Sequence, residues 1–166
     1  MLELLRPRLY VKSIHRIDLE RLKQAGIKAI LADLDNTLVP WDSDETNPEL
    51  LSWLRRVREV RLEIYLVSNA VPQRLQHFLD LLGVRGIAKA GKPASGAFMR
   101  ALRELGLPAS QVALVGDQIF TDVLGGNRVG LYTILVVPLS RNEFIGTRLM
   151  RRIERLVLKR IGTPEH

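Results

Sequence analysis

Four runs of the chain are apolar almost without interruption: IKAILAD at 27–33, LEIYLVS at 62–68, VALVG at 112–116 and LYTILVV at 131–137. Each is short, rich in Val, Ile and Leu, and lacks the alternation of a strand with one wet face, so each predicts a strand covered on both sides. RGIA at 85–88 is a weaker candidate. Between the runs, apolar residues recur at helical spacing: Leu50, Leu51, Leu54 and Val57, then Leu75, Phe78, Leu79 and Leu82, then Phe98, Ala101, Leu102 and Leu105. Asn47-Pro48-Glu49 and Pro72 open two of these helices, and Gly83 and Gly106 close two. Strand and helix in alternation predict α/β architecture: a parallel sheet with right-handed crossovers and helices on both faces, in three α/β/α layers.

The conspicuous polar residues collect just after those strands. Asp33 and Asp35 follow AILA, Ser68 and Asn69 follow IYLV, Asp117 follows VALVG, and Lys92 precedes a predicted helix. In an open parallel sheet the carboxyl ends of the strands line one crevice, so these residues are expected to converge. Crowded carboxylates repel and need a positive partner. Magnesium, an oxygen-seeking ion that accepts one or two carboxylates beside a phosphate, suits them and, with Lys92, would attract a phosphoryl group. An ionised aspartate can attack phosphorus without a separate base. A second carboxyl two residues on lies on the same side of an extended segment, where it can protonate the leaving group and later activate water. Each residue alone has a plainer reading: D-x-D as a turn, Ser68 and Asn69 as a strand end, Lys92 as a solvated lysine, Asp122 as a first-turn helix acid.

Composition narrows the setting. The chain has 166 residues, 26% charged and 46% apolar, the size and balance of one globular domain. No apolar run approaches the ~18 residues of a membrane span. The start, MLELLRPRLYVKSIHR, lacks the apolar core of a signal peptide, and cysteine is absent, so a cytoplasmic location is expected. Of 25 basic residues nineteen are arginine, and the net charge is +7. That excess either suits an anionic partner such as nucleic acid, acidic lipid or a phosphorylated molecule, or simply reflects genome composition or a hot habitat.

DLDNTLV, LVSNA, KP and GDQIFTD stand in the order of the four motifs of the haloacid dehalogenase-like phosphatases, and residues 27–137 resemble that superfamily. The resemblance implies a Rossmann-like domain with Asp33 as nucleophile and Asp35 as general acid and base. It implies that Asn36, Ser68 and Asn69 bind the substrate phosphate and that Lys92 steadies both nucleophile and phosphoryl group. It places Mg2+ on Asp33, the backbone carbonyl of Asp35 and Asp117, with Asp122 in support. LYVKSIHRIDLERLKQAGIKAILADLDNTLVPW and GDQIFTDVLGGNRVGLYTILVVPL further resemble the YqeG branch, in subclass IIIA, which is similar to mitochondrial phosphatidylglycerophosphate phosphatases. Phosphatidylglycerophosphate is thus the implied substrate. The gaps after the first strand and between Ser68 and Lys92 are too short for a cap domain. The open site suits a macromolecule or a lipid head group at a membrane, or closure by a second subunit.

Residues 1–166 are expected to form one domain, with a core at 27–137 and a basic amphipathic helix at about 143–161. In that helix Ile145, Leu149, Ile153 and Leu156 form an apolar stripe, and Arg148, Arg151, Arg152, Arg155 and Lys159 a basic one. It could lie peripherally on the inner face of an anionic membrane, lie on RNA, or pack its apolar stripe on the domain. Trp41 is either a rim contact or a packed aromatic. A scaffold binding RNA or protein without turnover is the alternative function. A phosphate-accepting receiver domain is disfavoured, because there the acceptor aspartate follows the third strand.

Overall fold

The computed structural model describes residues 2–140 and 145–162. Its strands are β1 (Leu9–Val11), β2 (Ala29–Ala32), β3 (Glu63–Val67), β4 (Arg85–Ile87), β5 (Val112–Gly116) and β6 (Tyr132–Val136). They make one six-stranded sheet in the order β1-β6-β5-β2-β3-β4, parallel throughout. The helices are α1 (Leu19–Gln24), α2 (Pro48–Glu59), α3 (Pro72–Leu82), α4 (Gly96–Leu105), α5 (Leu124–Val129) and α6 (Ile145–Ile161).

Alternate residues of the continuous apolar runs serve two cores. Ile30, Ala32, Leu66, Ala113 and Val115 face one side with the buried residues of α1, α2 and α3. Ala29, Leu31, Tyr65, Val67, Val112 and Leu114 face the other with Phe98, Ala101 and Leu102 of α4. A strand wet on neither face has no reason to alternate polar with apolar. The helix ends are set locally: Asn47 Oδ1 accepts from Leu50 N at 2.7 Å, and Gly83 and Gly106 close α3 and α4 at φ 64° and 65°, left-handed values that favour glycine.

Register brings the polar clusters level. Ala32 lies opposite both Leu66 and Val115, so the chain leaves β2, β3 and β5 at the same end within a residue or so. From β2 the chain winds outward through β3 to β4, then returns to β5 on the other side of β2. The crevice between β2 and β5 is therefore where the winding reverses.

Three features differ from expectation. β1, three residues at the sheet edge paired with β6, was not anticipated; so short a strand carries no periodic signal. A π-helical turn at Ile119–Val123 precedes α5. The third correction concerns α6. Three residues of its apolar stripe, Leu149, Ile153 and Leu156, do not pack on the domain and are 61%, 42% and 65% exposed. The buried side is instead Glu154 and Ile161, because Glu154 accepts from Ile119 N at 2.8 Å and Arg151 reaches Asp117. Residues 143 and 144 of the predicted helix, and the side chain of Ile145, lie outside the described residues.

Candidate active site

Beyond β2 the backbone stays in the sheet for one more residue, Asp33 N donating to Val115 O at 2.9 Å, and then turns sharply. Asn36 takes φ 59°, a left-handed value that asparagine tolerates better than most residues. Its N–H donates to Val39 O at 2.7 Å, and its side-chain oxygen accepts from Trp41 N at 3.3 Å. Asn36 thus shapes the turn as well as lining the hollow above it. Thr37 Oγ1 donates to Asp117 Oδ1 at 3.3 Å, tying the turn to the end of β5.

Asp35 faces that hollow beside Arg74 of α3, whose Nε and Nη2 both lie 2.8 Å from its Oδ1. The same guanidinium reaches Asp44 Oδ1 at 2.8 Å and Pro40 O at 3.2 Å, and lies over Phe78 at 5.2 Å from the ring centroid. Held at so many points, it fixes one oxygen of Asp35.

The buried charges interlock. Lys92 Nζ sits 2.9 Å from Asp33 Oδ1 and 2.6 Å from Asp122 Oδ1. Its loop is clamped by Asn69, whose Oδ1 accepts from Lys92 N at 3.0 Å while Nδ2 donates to Lys92 O at 3.4 Å. Ser68 Oγ accepts from Ala70 N at 3.0 Å. Asp122 presses against the backbone at Gly116, where any Cβ would overlap its carboxylate, so the glycine is needed for close approach. Arg151 grips Asp117 through its Oδ2 and, at 2.5 Å, its carbonyl oxygen, and also contacts Glu154 at 3.2 Å.

These surroundings set the charges. Burial pushes Asp33 up to about 6, against Lys92, which draws it down, and with Asp122 adding to the rise. Burial pushes Asp117 to about 8 despite Arg151. Burial alone would lower Lys92, but Asp122 and Asp33 more than reverse it, and it sits above its ordinary value. Glu154 is raised by burial, against the pull of Arg151 and two backbone N–H groups.

Asp33, Asp117 and Asp122 each place a carboxylate oxygen within 4.8 Å of the others. Among the described residues Lys92 pairs with Asp33 and Asp122 and Arg151 with Asp117, so two cations face three buried carboxyl groups, and an incoming phosphate would add negative charge. An all-oxygen donor set short of positive charge fits a hard divalent cation.

The hollow over this cluster is about 260 Å³ and is lined by Asp33, Asp35, Asn36, Ser68, Asn69 and Lys92. Asp117 and Asp122 lie behind it, 3% and 1% exposed. Trp41 stands at its rim rather than in the core, and Gln118, Thr121 and Thr147 complete the wall. Sequence reasoning missed Arg74 and Glu154 and assigned Arg151 to an outward basic stripe. Arg74 stands four residues before Phe78, a spacing too ordinary to single it out. Arg151 and Glu154 share a turn of α6, but only the docked helix shows which way they point.

Residues 2–77 match the model of the mitochondrial PGP phosphatase family, and residues 89–137 match a HAD-hydrolase-like family. The chain is 41% identical to "Probable phosphatase YqeG" of Bacillus subtilis, over 95% of this chain and 91% of that one. It is 33% identical to phosphatidylglycerophosphate phosphatase 1, chloroplastic/mitochondrial, of Arabidopsis thaliana, over 93% of this chain but 47% of the plant protein. Among solved structures, the cobalt-bound deoxy-D-mannose-octulosonate 8-phosphate phosphatase of Haemophilus influenzae aligns over 82% of this chain and 90% of its own, with TM-score 0.56 and 15% identity. A HAD family hydrolase of Deinococcus radiodurans aligns over 85% and 90%, with TM-score 0.54 and 16% identity. At such identities the two structures speak for the fold alone. With one relative matched at 41% along nearly its whole length, this chain belongs to the YqeG family of haloacid dehalogenase-like phosphatases.

Proposed function

We propose that the chain is a magnesium-dependent phosphomonoester hydrolase that works through an aspartyl-phosphate on Asp33. We propose as its substrate phosphatidylglycerophosphate or another large, surface-bound phosphate ester. The carrying observation is Asp33 itself: a carboxylate at the floor of the hollow, 2.9 Å from Lys92 and within the three-carboxylate cluster. Asp33 attacks phosphorus while the bond from phosphorus to the leaving oxygen breaks, and Asp35 gives that oxygen its proton. Asp35 then takes a proton from water as the water attacks the aspartyl-phosphate, releasing inorganic phosphate and restoring Asp33. Lys92 balances charge on both Asp33 and the phosphoryl oxygens, while Asn36, Ser68 and Asn69 present polar groups to the phosphate. Asp33, the Asp35 carbonyl and Asp117 would hold Mg2+, with Asp122 beside them. The ion would supply positive charge to phosphoryl oxygens as they gather negative charge.

Two observations support a surface-bound substrate. The hollow has no cap among the described residues, and α6 beside it turns Leu149, Ile153 and Leu156 to solvent next to Arg148, Arg152, Arg155 and Lys159. Apolar and basic stripes side by side suit an interfacial helix on an anionic bilayer. No described helix is long and apolar enough to cross a membrane, and we take the contact as peripheral, with the cytoplasmic face as the proposed side. α6 and the sheet then act as one working domain. The similarity to phosphatidylglycerophosphate phosphatases favours that lipid.

The test compares phosphatidylglycerophosphate in anionic vesicles with a soluble phosphate ester, with magnesium present. Wild type should hydrolyse both. Replacing Leu149, Ile153 and Leu156 with glutamine should slow the vesicle reaction roughly tenfold or more, given ~1.5–3 kcal/mol for each large side chain buried, and spare the soluble ester. Inactivity toward the lipid, with salt-sensitive RNA binding instead, would overturn the reading.

A further inference from the structure

A second cleft, of about 640 Å³, runs between α6 and the end of β6 and is larger than the hollow over Asp33. Its walls have two characters. One is apolar: Leu135, Val136, Val137 and Pro138 at the end of β6, with Leu158 of α6. The other is cationic: Arg148, Arg152 and Arg155, spaced four and three residues apart on one face of α6, with Arg151 where the cleft meets Asp117. Both acids in the wall are engaged, Asp117 by Arg151 and Glu154 by Arg151 and Ile119 N. The cleft therefore carries a positive balance. A space of this size, apolar on one side and arginine-lined on the other, suits an amphiphilic anion.

Its position gives it a purpose. Asp117 is a wall of this cleft and a member of the cluster around Asp33, so the Arg151–Asp117 pair is the partition between the cleft and the proposed metal site. Phosphatidylglycerophosphate carries two phosphates: a terminal monoester, which is hydrolysed, and a diester across one glycerol, which is kept. We infer that this cleft holds the retained phosphodiester and the adjoining acyl chain of an anionic glycerophospholipid while its monoester lies over Asp33. The arginines take the diester oxygens through their planar forks, and the end of β6 takes the first methylenes of the chain. This inference rests on the proposed lipid phosphatase activity. It adds a specificity site: a small phosphate ester leaves the cleft empty.

The experiment uses dihexanoyl phosphatidylglycerophosphate as a monomer, below its micelle-forming concentration, so that no surface contributes. p-Nitrophenyl phosphate is the small ester. R152Q/R155Q changes two exposed arginines of the rim, and Val137→Glu separately puts an anion on the exposed apolar lip. Both should raise KM for the short-chain lipid roughly tenfold or more, the first by removing charged hydrogen-bond donors to the diester and the second by setting an anion against it, and leave KM and kcat for the small ester unchanged. Dihexanoyl phosphatidylglycerol, which keeps the diester and lacks the monoester, should compete with the lipid substrate in wild type and lose that effect in R152Q/R155Q. An unchanged KM for the lipid in both variants would overturn the cleft assignment while leaving lipid hydrolysis standing. Equal losses on both substrates would overturn it too, as an effect on the fold. A wild-type protein that cleaves the small ester and ignores the lipid would remove the lipid reading, and the cleft with it.

Discussion

Asp35 and Asp33 are two residues apart and differ in almost everything that governs their charge. Asp33 lies nearly buried at the floor of the hollow against Lys92, while Asp35 stands more open in the same hollow with one oxygen pinned by Arg74. In the proposed mechanism Asp35 hands a proton to the leaving oxygen and must be aimed at it, and Arg74 is the residue placed to set that aim. Arg74→Met keeps most of the contact with Phe78 and removes the fork. It should lower kcat about tenfold or more on an alkyl phosphate, whose leaving group needs the proton, out of the ~10²–10⁴ that such catalysis contributes. On p-nitrophenyl phosphate, whose leaving group departs unaided, the loss should be small. The ratio of the two kcat values is the measurement, and an equal loss on both esters would make Arg74 a structural residue.

At the scale of elements, what could be read from the chain was whatever repeats. β2, β3, β5 and β6 announced themselves because a strand buried on both faces is continuously apolar, and α2, α3 and α4 because one face of each is core. The strand-end positions of Asp33, Ser68 and Asp117 followed from those strands, since a parallel sheet leaves little choice about where its carboxyl ends meet. Elements whose reason for existing lies elsewhere in the fold stayed hidden. β1 is held by pairing with β6, and the π-helical turn carries Asp122, which packs against Gly116. α6 was legible as an amphipathic helix but not in its orientation. Periodicity assigns the apolar stripe to the core, whereas buried partners for Arg151 and Glu154 turn that stripe outward. Polar pairing at one end of the sheet outweighed the usual rule for a surface helix.

Across the whole molecule, the buried acids link stability to pH and to metal. Asp33 and Asp117 rise from 3.8 to about 6 and about 8 in the folded state. The folded form then binds more protons than the unfolded form between those limits, so these two groups make stability fall as pH climbs from about 4 to about 8. Lys92, raised above its ordinary value, stays protonated in both states across that window and adds no slope. A divalent cation on the cluster competes with those protons, so magnesium should raise the melting temperature more at pH 8 than at pH 5, relative to protein in chelator. A magnesium effect equal at the two pH values, or larger at pH 5, would place the ion elsewhere.

Phosphorylation of Asp33 is the central step of the proposed reaction. Acid quenching during turnover, followed by borohydride reduction and peptide mapping, reads this directly, because an acyl phosphate is reduced to an alcohol and leaves homoserine in place of aspartate. Homoserine is expected at residue 33, dependent on substrate and magnesium and absent from Asp33→Asn. Homoserine at residue 35 or 117, or none at any aspartate under conditions where phosphate is being released, would contradict a nucleophilic Asp33.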